Sequence, residues 1–236
     1  MISRVARHGI PVGGAEDLAE VLGRGVSESL ESVESSPQVL GGAFETAMTV
    51  ARLRSLADPT ANRLGTWEAH VLAMQVATAV FAAATADEDD TVECRIDGTL
   101  WDVPAIGAQE FTGPGAWLNA FWLGVVCQEP GRLSTLSRVP EEVLRGSGTE
   151  FDEYVYPWVA ALQAFWNDGD ELGDRLAEAV EGADPDRAEV AGAELMLKVL
   201  YPPTGGLLPC GSAGPGGLRL RAGRGSSALP AVLVRG

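Results

Sequence analysis

The sequence predicts a mainly α-helical protein, an antiparallel array of helical hairpins with one short β-hairpin near 91–103. Three observations predict it. Apolar residues recur at helical spacing along most of the chain. Pro and Asp-Pro breaks cut that text into helix-length pieces. One stretch, TVECRIDGTLWDVP, switches to a period of two around an Asp-Gly pair. With 236 residues, 46% of them hydrophobic, the chain can bury a core without disulfides.

Residues 15–34 form the first element, with Leu18, Val21, Leu22, Val26, Leu30 and Val33 at helical spacing. Pro37 restarts a second helix, which Asp58-Pro59 breaks. A third runs from about Thr60 to Ala86, with Trp67, Val71, Met74, Thr78 and Phe81 on one stripe. Its apolar stretch, Ala69 to Ala86, is interrupted by His70 and Gln75 and reads as a buried helix rather than a membrane span. Asp87 to Asp90 close that helix. In the hairpin, Glu93, Arg95 and Asp97 alternate with Val92, Cys94 and Ile96, so one face packs and the other meets water. Helices resume with Trp117, Phe121, Gly124 and Val125 sharing a face, then shorter pieces over about 130–146. A strong helix carries Trp158, Leu162, Phe165 and Trp166, with Pro157 near its first turn or kinking it. Two more are expected over about 170–182 and 185–200.

The text changes after Glu194, the last acid in the chain. Gly, Ala, Arg and Pro dominate the remaining residues, and their codons begin with G and C pairs, as GC-rich DNA read out of frame would supply. Residues 1–203 are therefore expected to form the functional helical domain, and 204–236 a tail without folded elements, either the product of a reading-frame change or a genuine flexible, weakly basic tail.

Net charge is −16, and all 33 acids precede the tail. Such a surface repels nucleic acid and anionic membrane and steers a basic partner toward itself. Cys94, Cys127 and Cys210 are odd in number and widely spaced, which points to reduced thiols and a cytoplasmic location. The N-terminus lacks an apolar signal-like run.

Catalytic motifs are missing. His8 and His70 are the only histidines, and neither sits in a metal or triad pattern. Asp168 to Asp174 starts like a calcium loop but places Leu172 and Ala179 where ligands are required. Gly223 to Ala228 matches a dinucleotide fingerprint by spacing alone, with no strand and acid after it. No cofactor or metal is expected. Glu150, Asp152 and Glu153 precede an aromatic cluster, Tyr154, Tyr156 and Trp158, and leave open a carboxylate-based hydrolase. Acids placed at a helix start for capping and dipole reasons are the simpler explanation. A tetratricopeptide-like helical scaffold is a further alternative.

TWEAHVLAMQVATAVFAAATA, VECRI, WLNAFWLGVVCQEPGRL, EFDEYVYPWVAALQAFW and LMLKVLYPP, in this order and spacing, resemble the immunity 49 family of bacterial polymorphic-toxin systems. The resemblance covers about residues 1–203. It implies a mostly helical cytoplasmic protein that binds and neutralises a cognate toxin without catalysis. The family pattern continues past LYPP into further helices, where this chain departs from it. Partner-binding residues expected from charge are Glu88, Asp89, Asp90, Asp152 and Glu153.

Overall fold

The computed structural model describes residues 14–146, 150–167, 169–181, 219–221 and 232–234. The chain divides into two units, Met1–Gly206 and Leu207–Gly236. The first unit carries eight helices and one hairpin among the described residues.

Three helices open it: α1 (Ala15–Leu30), α2 (Val39–Ala57) and α3 (Leu64–Thr85). Glu16, in the first turn of α1, pairs with Arg54 near the end of α2 (3.6 Å) and with Arg63 at the entry to α3 (2.8 Å). The start of one helix therefore meets the end of the next, so α1 and α2 run antiparallel. These pairs are exposed and report geometry more than stability. On α1, Ala15, Ala19, Val26 and Leu30 are buried, whereas Leu18 and Val21 are 48% and 55% exposed. The apolar stripe read from sequence is thus too wide. Leu18 and Val21 lie roughly 100° and 200° round the helix from Ala19, off the contact face, where alanines allow close approach.

Helix α3 departs from a one-sided stripe in a different way. From Ala73 to Ala84 nearly every side chain is buried, while Val71 is exposed and Trp67 half-buried. The helix is packed by α2, the hairpin, α4 and α5, and small residues suit a helix enclosed on several sides. It is long and apolar enough to cross a membrane, but two thirds of that stretch is buried inside this unit.

Strands β1 (Thr91–Ile96) and β2 (Thr99–Pro104) form the expected hairpin. Asp97 and Gly98 have φ of 48° and 77°, the left-handed pair that a two-residue turn of this twist requires. Cys94, Ile96 and Val103 face the core, and Glu93, Arg95 and Asp97 are exposed. The Asp97 N–H donates to Gln75 Oε1 on α3 (2.8 Å), the Ile106 N–H to the Ala83 carbonyl (3.0 Å), and Arg132 to the Arg95 carbonyl (3.0 Å).

The remaining helices are α4 (Pro114–Val126), α5 (Pro130–Leu136), α6 (Glu141–Arg145), α7 (Glu150–Trp166) and α8 (Leu172–Glu181). Trp117 is fully buried, stacks on Phe121 at 4.9 Å, and donates from Nε1 to the Leu136 carbonyl (2.8 Å), which ties α4 to the end of α5. Gly124 allows the same approach, since a Cβ there would lie 2.7 Å from Leu133 Cδ2. Among the described side chains of α7, Val155, Tyr156, Val159, Ala160 and Ala161 are buried; Trp158, Leu162, Phe165 and Trp166 are half-buried. Pro157 sits inside α7 rather than in its first turn. In the second unit, β3 (Arg219–Arg221) and β4 (Val232–Val234) pair antiparallel. The helix expected over 185–200 and the rest of 204–236 lie outside the described residues.

Candidate functional site

The helix α3 ends in a four-acid turn. Asp87, Glu88, Asp89 and Asp90 are all exposed, and none pairs with a basic side chain among the described residues. The turn closes through the Asp90 N–H to the Asp87 carbonyl (3.0 Å), with Asp89 at φ 76°, a left-handed conformation that Asp tolerates better than most residues. The Asp90 carbonyl then accepts from Ala105 N–H (2.9 Å), so the acidic turn is pinned to the far end of the hairpin.

From there the acidic character runs onto the hairpin's outer face. The register sets Glu93 directly opposite Asp102. Counting from the Ile96–Thr99 pair beside the turn, this is a non-hydrogen-bonded position, the one at which side chains come closest. The outward Asp102 N–H is accepted by Glu34 Oε1 (3.2 Å), which brings a third carboxylate from the α1–α2 connection. Glu34, Glu93 and Asp102 are exposed. Sequence reading found the turn but missed Glu34, Glu93 and Asp102 as a group. The alternation marked Glu93 as exposed, yet only the pairing register and the return of the α1–α2 connection bring the three together.

Asp152 and Glu153 lie in the first turn of α7, which packs on α4, α6 and α8. Their side chains lie outside the described ones. Glu88, Asp89 and Asp90 instead share the hairpin end of α3.

Several buried polar groups have structural explanations. Asp58 accepts from the Arg63 N–H (2.8 Å), Thr66 Oγ1 (2.9 Å) and Thr60 Oγ1 (3.3 Å), which holds the entry to α3. The Arg63 N–H is the main cause that keeps its carboxyl below the usual range. His70 is buried; its Nδ1 bonds the Thr66 carbonyl (2.7 Å) and its Nε2 has no partner among the described residues. Burial pushes the imidazole below its ordinary value. The Cys94 and Cys127 thiols are each pushed up to about 11, chiefly by burial, and are poor nucleophiles at neutral pH. Glu141, Arg145 and Tyr156 form a cluster in which the Arg145 guanidinium lies 4.2 Å over the Tyr156 ring. Burial, and then the bond to Glu141, push the Tyr156 hydroxyl up to about 12.

A cleft of about 490 Å³ opens beside the start of α2, lined by Gly41, Gly42, Glu45, Glu110, Phe111 and Gly113 among others. Groups of three or more metal-ligating side chains are absent among the described residues.

A family model for Immunity protein 49 matches residues 58–207, more than half of the chain. No curated protein and no solved structure gives a match. The matched segment starts at the buried Asp58 and contains α3, the acidic turn and the hairpin.

Proposed function

Because the chain belongs to the immunity protein 49 family, we propose that it neutralises a cognate toxin by direct contact, and that the acidic turn and the hairpin's outer face form the contact surface. One observation carries the reading. Glu93 and Asp102 face each other at close range on an exposed hairpin, with Glu34 beside them and the turn 87–90 adjoining; Arg95 stands on the same hairpin face, but none of these acids forms an ion pair with a described base. Like charges set directly opposite in a sheet are unfavourable, so this arrangement suits a surface that a cationic partner covers.

Glu88, Asp89 and Asp90 belong to this surface. A basic active site on the toxin would be steered toward it and occluded once bound. The role needs no catalysis, cofactor or metal from this chain. Asp152 and Glu153 remain proposed contact residues on the α7 side. The protein acts in the cytoplasm, where the toxin would reach its target.

The test is co-expression with toxin domains encoded beside this gene, scored by cell survival, together with calorimetric titration of the purified pair. Protection and stoichiometric binding are expected. Affinity should fall as salt rises from about 0.05 M to about 0.5 M, because the Debye length shrinks below the span of the acidic surface. Binding that ignores both salt and the Glu93→Gln, Asp102→Asn double substitution would remove this surface from the interface.

A further inference from the structure

Carboxylates on an open surface steer a cationic partner but hold it weakly, because water competes for each contact. Binding energy at protein interfaces concentrates where a side chain enters a recess and sheds water. The open cleft at the start of α2 offers a partial recess, and the only described charged side chains that line it are acidic. Gly42 leaves one wall as bare backbone, Phe111, whose ring covers Gly41, lines another, and Glu45 and Glu110 flank them. Both carboxylates are exposed and pair with no described base, and no described Lys, Arg or His lines the cleft. Gly113, the N-cap of α4, also lines it, so the positive end of that helix dipole contributes about half a charge, against two full negative ones.

We propose that this cleft is a guanidinium subsite that receives one arginine side chain of a partner protein, with Glu45 and Glu110 as counter-charges and the Phe111 ring as its stacking surface. A planar guanidinium can stack on an aromatic face while donating in its plane to carboxylates, which a lysine ammonium cannot do. The ring is held in place by α2. A Cβ on Gly41 would lie 2.5 Å from Phe111 Cδ1, so the absence of a side chain there lets the ring lie against the helix. Gly42, by contrast, has open space where its Cβ would be, on the cleft side. That the arginine comes from a toxin rests on the proposed neutralising function; the subsite itself does not.

The experiment uses the full chain labelled with nitrogen-15 and titrated with N-acetyl-arginine amide, followed through the backbone amides of Gly41, Gly42 and Gly113. Saturating shifts at these glycines are expected, with a Kd of roughly millimolar order for one exposed charged group. The neutral isostere N-acetyl-citrulline amide should leave them unmoved, and the lysine analogue should bind more weakly. Glu45→Gln and Glu110→Gln should each weaken binding by up to about fivefold. Gly42→Leu keeps both carboxylates and fills the cleft, so it should abolish the shifts while leaving the circular dichroism spectrum unchanged. Equal shifts with citrulline, arginine-induced shifts confined to residues 87–90, or full binding by Gly42→Leu would each overturn the proposal. Toxin binding can fail while these shifts persist, and the reverse, so the two readings are separable.

Discussion

Replacing Glu93 by lysine should make the protein more stable and a poorer toxin binder. Glu93 and Asp102 occupy opposed, non-hydrogen-bonded positions on the exposed face of the hairpin, where carboxylates can sit about 5 Å apart. In water, two unit charges at that distance repel by about 0.8 kcal/mol. At physiological ionic strength, with a Debye length of about 8 Å, this falls to about 0.4 kcal/mol. Glu93→Gln removes the repulsion, and Glu93→Lys turns it into an attraction of similar size, a swing of about 1 kcal/mol at that ionic strength. For a chain of this length that raises Tm by about 2–4 °C. Thermal unfolding followed by far-UV circular dichroism at about 0.01 M salt, where screening is weak, gives the clearest reading. A double-mutant cycle with Asp102→Asn isolates the pair, since the asparagine keeps the backbone N–H that Glu34 accepts. The unfavourable coupling should vanish in high salt. A lysine variant that is less stable at low salt, or a coupling indistinguishable from zero there, would refute the electrostatic reasoning.

Trp117→Phe should cost about 1–3 kcal/mol by urea denaturation, from a lost ring volume and from a Leu136 carbonyl that keeps only the Val139 N–H (3.2 Å) of its two donors; no measurable loss would mean the site relaxes freely. Gly41→Ala must displace the Phe111 ring and should destabilise by about 1–3 kcal/mol, read as an earlier urea midpoint. Stability should decline in mild acid. His70 has a lowered folded pKa, so the unfolded chain takes up a proton below its ordinary value of 6.5 while the folded chain resists; the loss sets in as pH falls through that value, with a slope of no more than about 1.4 kcal/mol per pH unit. His70→Leu should flatten that part of the urea-midpoint profile, and an unchanged slope would exonerate His70. Asp58, whose folded pKa is also lowered, stabilises above its ordinary value of 3.8 and adds a second loss below it; Asp58→Asn should remove that second limb.

The hairpin shows how much local chemistry can specify. Its period of two and the Asp97-Gly98 turn were legible because strand alternation and left-handed φ are properties of a few adjacent residues. The helix break at Asp58-Pro59 was legible for the same reason. Leu18, Val21 and Val71 read as core and are exposed, because periodicity marks an apolar face but not how much of it a neighbour covers. The buried Asp58 and its three donors read as a helix break and turned out to anchor the next helix.

By itself, then, the sequence determined the helical class, the hairpin and the acidity of the body, which come from composition and spacing, and the family, which comes from the likeness of its segments to the immunity 49 family. The tertiary structure decided which acids stand together. Glu34 and Asp102 are 68 positions apart and meet through one hydrogen bond, and Glu45 and Glu110 share a cleft only because α4's approach lies against the start of α2. No local pattern encodes such meetings. They depend on how close helices can pack, and that is set by small residues such as Gly41 and Gly124, whose missing side chains matter only when a neighbour arrives.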